Sequence, residues 1–273
     1  VGYEAGKAMT TGIDNTIIGG LAGDAMTTGF SNTYVGKNSG GATTIGNSNV
    51  AIGDSALLTN VAADRNIAIG VNALYSMTAA STADYYNIGI GYNAGYAITS
   101  GIKNTIIGGL AGDAMSTGHS SVAIGYEALG SATIANHNVA IGIDALAINV
   151  AADRNVAIGS EALEFMTSAT TADTYNVAIG YNAGKQVTTG VENVLIGGLA
   201  GDALTTGHYN VAIGTRALST EDGHGYCVAI GRDALKNQNA GANAYNVAMG
   251  YQAGLSVSTG IENTLIGGGV GAS

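Results

Sequence analysis

Residues 138–159 read NVAIGIDALAINVAADRNVAIG, so the pentad Asn138-Val139-Ala140-Ile141-Gly142 returns as Asn155-Val156-Ala157-Ile158-Gly159, seventeen positions on. Followed outward in both directions, the pentad's glycine recurs at Gly2, Gly19, Gly36, Gly53, Gly70, Gly91, Gly108, Gly125, Gly142, Gly159, Gly180, Gly197, Gly214, Gly231, Gly250 and Gly267. The step is constant at seventeen positions, apart from two that are longer by four and one that is longer by two. A second period lies above the first, because Gly2, Gly91 and Gly180 are evenly spaced and each is followed by Tyr-x-Ala-Gly. The chain therefore reads as one repeat domain, 1–273, in blocks 2–90, 91–179, 180–249 and a partial block 250–273. No capping unit is visible at either end, and we expect an excerpt of a longer chain.

The columns of the repeat carry the physics. Asn stands four residues before the glycine in 13 of 15 units, with Ser121 and Cys227 as exceptions. A Val, Ile or Thr follows, then usually Ala, then Ile. Three residues after the glycine comes Ala in 14 of 16 units, and next to it either Gly or Leu. The β-branched, alternating triplet suits a strand, and the frequent glycines oppose a helix. A unit of this length is too short for a helix pair. It suits one coil of an all-β parallel β-solenoid, with two short strands and two turns per coil and backbone pairing between coils. Sixteen such coils are expected.

Composition agrees. Glycine accounts for 44 of 273 residues, proline and tryptophan are absent, and only 10% of residues are charged. Proline cannot donate to a ladder in which every strand is central. Hydrophobic content of 46% excludes disorder through high charge. Collagen is excluded by the missing G-X-Y period. No apolar run is long enough for a membrane-spanning helix. The net charge of −10 opposes nucleic acid and anionic membranes as partners.

The Asn column reads as a structural ladder whose amides bond along the stack or into the turns: Asn49, Asn66, Asn138, Asn155, Asn176 and Asn210 are typical rungs. Cys227, the sole cysteine, reads as a small buried thiol in that slot. Within the triplet, residues i and i+2 share a face. The bulky flanking columns are expected to fill the coil, and the small middle column to face outward. An outward alanine stripe with large residues at Ile17, Ile106, Leu195 and Leu265 predicts a shared axis on which copies of the chain pack.

The string Asn-Val-Ala-Ile-Gly-x-x-Ala, at Asn49 to Gly53, Asn138 to Gly142, Asn155 to Gly159, Asn176 to Gly180 and Asn210 to Gly214, resembles the head repeat of YadA-like trimeric autotransporter adhesins, which also occurs in bacteriophage tail fibres. The resemblance implies a left-handed β-roll and a homotrimer, intertwined or side by side. It implies a structural fibre or host-attachment protein, foremost a phage tail-fibre shaft or receptor-binding segment. A bacterial surface adhesin head or a purely structural extracellular filament is the alternative. Either is extracellular, on a virion or a cell surface. The unit is longer here than in the adhesins.

For chemistry, no enzyme is expected. Acids such as Glu221-Asp222, or Asp144 and Glu161 one unit apart, read as solvated. Gly19 to Asp24 and its copies are out of register with calcium-binding β-helix repeats, so Asp24 reads as a turn residue. The four histidines, His119, His137, His208 and His224, show no metal-ligand spacing. No metal or cofactor is expected. Thr-Thr-Gly is too sparse to build ice-binding ranks. Tyr86, Tyr175, Tyr209, Tyr226 and Tyr245 share one column, five residues before the glycine. The last three lie on consecutive coils, so their rings are expected to stack about 4.8 Å apart. Flanked by the loops Glu221 to Gly225 and Lys236 to Ala244, they form a candidate platform for a host-surface glycan or receptor. Longer loops at Tyr75 to Tyr86 and Glu164 to Tyr175 are further candidates.

Overall fold

A β-branched triplet set between an Asn turn and an obligatory glycine has room for only three extended residues. The computed structural model describes residues 1–79, 81–167 and 172–272, and the triplets are its strands. The chain divides into two compact units, Val1–Asn136 and His137–Ser273. There is no helix among the described residues, and none long and apolar enough to cross a membrane.

In the first unit the triplet strands are β1 (Thr16–Ile18), β2 (Thr33–Val35), β3 (Val50–Ile52), β5 (Ile67–Ile69), β7 (Ile88–Ile90), β8 (Thr105–Ile107) and β9 (Val122–Ile124). They pair in that order, all parallel and without stagger, so that Ala51 faces Ala68 and Ile106 faces Ala123. Two short strands, β4 (Ala63–Asp64) and β6 (Ala83–Asp84), pair beside the first insertion. The second unit repeats the pattern with β10 (Val139–Ile141), β11 (Val156–Ile158), β12 (Val177–Ile179), β13 (Val194–Ile196), β14 (Val211–Ile213), β15 (Val228–Ile230), β16 (Val247–Met249) and β17 (Thr264–Ile266). Its strands also pair in parallel in chain order. Each unit is thus a parallel β-solenoid in which one sequence repeat makes one coil, as where Val139 pairs with Val156. Ala80 of the first insertion and residues 168–171 of the second lie outside the described residues.

Two expectations need correction. Among the described residues each coil has one triplet strand, and only the coils that carry β4 and β6 have a second. The rest of the coil turns at residues of positive φ, as at Leu110 (58°), Gly112 (51°) and Ser120 (57°). Such a backbone cannot run straight. It still pairs coil to coil, as in Gly112 N donating to Ala128 O at 2.9 Å and Ser116 N to Thr133 O at 2.9 Å.

The second correction concerns the faces. The middle column points into the coil. Ala68, Ala123, Ala157 and Ala212 are wholly buried within the single chain, and so are Tyr34, Ile106 and Leu195. Ile17 and Leu265, on terminal strands, are partly exposed but aim the same way. The Ile17 Cδ1 lies 3.3 Å from where a Cβ on Gly6 would stand, and the Leu265 Cδ1 3.0 Å from that of Gly254. Ile17, Ile106, Leu195 and Leu265 are therefore core plugs and form no axis. The flanking Val, Thr and Ile columns face outward, half-buried.

The reason is volume. Opposite each strand runs a turn whose inward residue, four after the key glycine, is Gly or Leu at left-handed φ. Where the strand carries Ala, the turn commonly supplies a buried Leu, as in Ala123 with Leu129 or Ala212 with Leu218. Where the strand carries Ile17, Tyr34, Ile106, Leu195 or Leu265, the turn carries Gly23, Gly40, Gly112, Gly201 or Gly271. A Cβ on Gly201 would stand 2.7 Å from Leu195 Cδ2. No coil carries a large side chain in both columns, and those with Gly89 and Gly95, Ala178 and Gly184, or Ala248 and Gly254 carry one in neither. The key glycine itself is irreplaceable: Gly108 has φ of 137°, and a Cβ there would lie 2.3 Å from Gly125 O.

Candidate functional site

The Asn column fixes the edge on which the candidate tyrosines stand. Asn49 Oδ1 accepts from Asn66 N at 2.9 Å and Asn66 Nδ2 at 3.1 Å, while Asn49 Nδ2 donates to Ala63 O at 2.9 Å. The rung recurs between Asn138 and Asn155, Asn155 and Asn176, and Asn193 and Asn210. Each side-chain oxygen replaces a backbone acceptor that the turn has removed. All these asparagines are buried, where an unpaired amide costs about 1–3 kcal/mol. Cys227 takes the slot as a buried thiol. Its N–H donates to Asn210 Oδ1 at 3.0 Å, and burial pushes the thiol up to about 11, which leaves it an inert protonated filler at neutral pH.

The residue before each rung must turn the chain, and it does so at left-handed φ. Tyr209 sits at 59°, Tyr226 at 65° and Tyr245 at 51°, a conformation uncommon for bulky residues. The ladder bonds hold it in place and throw the side chain outward. The three rings form a ridge on the second unit. Tyr209 and Tyr226 have centroids 5.1 Å apart, and Tyr226 and Tyr245 5.0 Å with 22° between planes. The rings are 41–52% exposed, leaving their outer area free. His208 meets Tyr209 edge-on at 6.2 Å.

Tyr86 and Tyr175 do not join a ridge. Their column neighbours are Arg65 and Lys103, and Arg154 and Glu192, so no second ring is available. Each instead closes an ion-pair cluster. The Arg65 guanidinium lies 5.8 Å from the Tyr86 centroid and pairs with Asp84, which also accepts from Tyr86 Oη at 3.1 Å. Arg154, Asp173 and Tyr175 repeat this arrangement, with Arg154 5.9 Å from the ring and Tyr175 Oη 2.9 Å from Asp173. Donation to the carboxylate raises the Tyr175 hydroxyl above its ordinary value. A further stack, Tyr75 on Tyr96 at 5.0 Å, went unpredicted. Both stand five residues after the key glycine on successive coils, so the column arithmetic applied to the tyrosines before it would have found them.

The loops beside the ridge are built, not loose. Gly225 N donates to Asn243 Oδ1 at 3.1 Å, joining the two predicted loops. Asn237, Asn239 and Asn243 are exposed, whereas Gln238 is buried with its Oε1 accepting from Asn246 Nδ2 at 2.7 Å. Glu221 is fully buried and its Oε1 lies 3.0 Å from His224 Nδ1. Stacked rings beside exposed amides and Asp222 offer apolar area with polar groups at its rim, the chemistry of a sugar-binding surface. No protein-family model, curated protein or solved structure matches this chain.

Proposed function

We propose that the chain is a segment of an extracellular homotrimeric fibre that attaches to a host surface, as the shaft or receptor-binding part of a bacteriophage tail fibre. One observation carries the reading: the outward face of the strands is apolar coil after coil. In the second unit it runs Val139 and Ile141, Val156 and Ile158, Val177 and Ile179, and onward to Val228 and Ile230, with no charged residue in either column. These side chains are half-exposed in the single chain. A continuous apolar strip of this kind marks an interaction surface. Its occupant must offer apolar groups at the same coil spacing, and another copy of this chain does so, coil against coil. The trimer expected from the sequence is thus proposed through the Val and Ile columns, and the number three comes from the resemblance to the adhesin heads. The tyrosine ridge, two residues before the Val column, is proposed as the glycan contact.

Light scattering and cell attachment test the reading together. We expect a trimer, and adhesion that the Tyr209→Ser, Tyr226→Ser, Tyr245→Ser triple variant loses while remaining trimeric. A monomeric wild-type chain overturns the fibre. Unchanged adhesion by the triple variant removes the glycan role from the ridge.

A further inference from the structure

Glu221 occupies an interior position. Seven residues after the key glycine, the coils on the same unit place Met166, Val187 and Leu204 inside, then Glu221, then Gln238. A carboxylate in that column is fully buried, and its Oε2 has no hydrogen-bond partner. A turn-capping role explains only half of it. Asn60 and Asn149 stand in the same column and cap the residue three further on with both side-chain atoms. Asn149 Oδ1 accepts from Ala152 N at 2.8 Å and Nδ2 donates to Ala152 O at 3.0 Å. Glu221 makes the first of these contacts, with Oε1 accepting from His224 N at 3.2 Å, and then has an anionic oxygen left over. The next coil does not serve it, since Gln238 Nε2 is also without a partner.

What faces the carboxylate is a second ligand-type atom. His224 Nδ1 lies 3.0 Å from Glu221 Oε1 and 4.0 Å from Asp222 Oδ1. One ligand atom from each of the three residues falls within 4.8 Å of the others. A tetrahedral ion bonded at about 2.0–2.2 Å spaces its ligands about 3.4 Å apart, so small side-chain adjustments suffice. We propose that Glu221, Asp222 and His224 form a binding site for a divalent transition-metal cation of the zinc type. One imidazole nitrogen with two carboxylates favours such an ion over magnesium or calcium, which take oxygen alone. Asp222 is exposed and His224 half-exposed, so the fourth position opens to solvent. The ion gives the buried carboxylate a positive counter-charge and pins the loop beside the tyrosine ridge. The site is independent of what the fibre attaches to.

The test is metal binding by the full chain after stripping with chelator. Equilibrium dialysis is expected to show one Zn²⁺ per chain, Co²⁺ to give a visible absorption band, and Zn²⁺ to raise the melting temperature. Glu221→Gln and His224→Ala are expected to weaken Zn²⁺ binding at least 100-fold. Glu221→Gln folds, because Gln238 already fills the same column one coil on. Glu221→Asn recreates the cap of Asn60 and Asn149. It is expected to melt no lower than the stripped wild type and to gain nothing from Zn²⁺. Absence of stoichiometric binding to the wild type overturns the site. Equal affinity in the wild type and both binding variants overturns it too, by placing the ion elsewhere.

Discussion

A single asparagine side chain in this protein serves two peptide groups and a second asparagine. Asn104 Nδ2 donates to Gly118 O at 2.8 Å and to Asn87 Oδ1 at 3.2 Å, and its Oδ1 accepts from Ser121 N at 3.0 Å. Asn104→Ala leaves buried donors and acceptors bare on both neighbouring coils. We expect a loss of about 3 kcal/mol, measured by denaturant unfolding. Asp202 gives a prediction of the opposite sign. Its Oδ1 is buried without a hydrogen-bond partner, and desolvation raises its carboxyl above the ordinary value. A carboxyl raised in the folded state binds its proton more tightly there than in the unfolded chain. Stability from this group is therefore fully present below its unfolded value near 3.8 and is lost as pH rises through the folded value. Asp202→Asn is expected to melt higher than the wild type at pH 7, with the gap closing below pH 4. A constant gap across that range would mean that ionisation is not the cause.

At the scale of the coil, filling of the lumen is shared between strand and turn. Leu195→Ala alone should cost about 2–5 kcal/mol by leaving a cavity. Gly201→Leu alone should also destabilise, by crowding Leu195. Together they recreate the neighbouring coil, where Ala212 faces Leu218. The double variant is expected to recover at least about 1 kcal/mol over the sum of the singles, and additive losses would refute the shared lumen. This pairing also shows what was legible in the sequence. The triplet Val-Ala-Ile located each strand, and the Asn column located the ladder, because both depend only on period. The facing of a three-residue strand does not. Alternation permits either face, and the rule that bulky residues go inside gave the wrong one, since the space between a strand and its facing turn takes a large side chain from one of them and never from both. The decisive signal was correlation between columns: Gly112 accompanies Ile106, while Leu129 accompanies Ala123. Glu221 was hidden for a related reason. Read as a pair with Asp222 it is a surface acid; aligned with Leu204 it is a core position.

For the whole molecule the proposal turns on which columns meet another chain. Ile158→Asp places a charge on the outward face, half-exposed in the single chain. It is expected to abolish the trimer while leaving the coil folded, because water still reaches the side chain in the monomer. Leu195→Asp buries a charge in the lumen, where relief costs several kcal/mol, and is expected to unfold the coil itself. Light scattering with circular dichroism separates the two results. If Ile158→Asp remains trimeric, the Val and Ile columns are not the interface.

The asparagine rungs make each coil a reader of its neighbours. A coil is latched from both sides, as Asn49 is by Asn32 and Asn66. Each unit thus behaves as a one-dimensional lattice with nearest-neighbour coupling, in which opening one coil bares the rungs of the coils on either side. Amide exchange should be slow at Asn66 and Asn193, whose N–H groups donate to the buried side chains of Asn49 and Asn176. The same coupling lets the lattice change length only in whole coils. Excising residues 194–210 joins Asn193 directly to Val211 and regenerates an intact rung, whereas a cut that does not remove whole repeats throws the downstream columns out of phase.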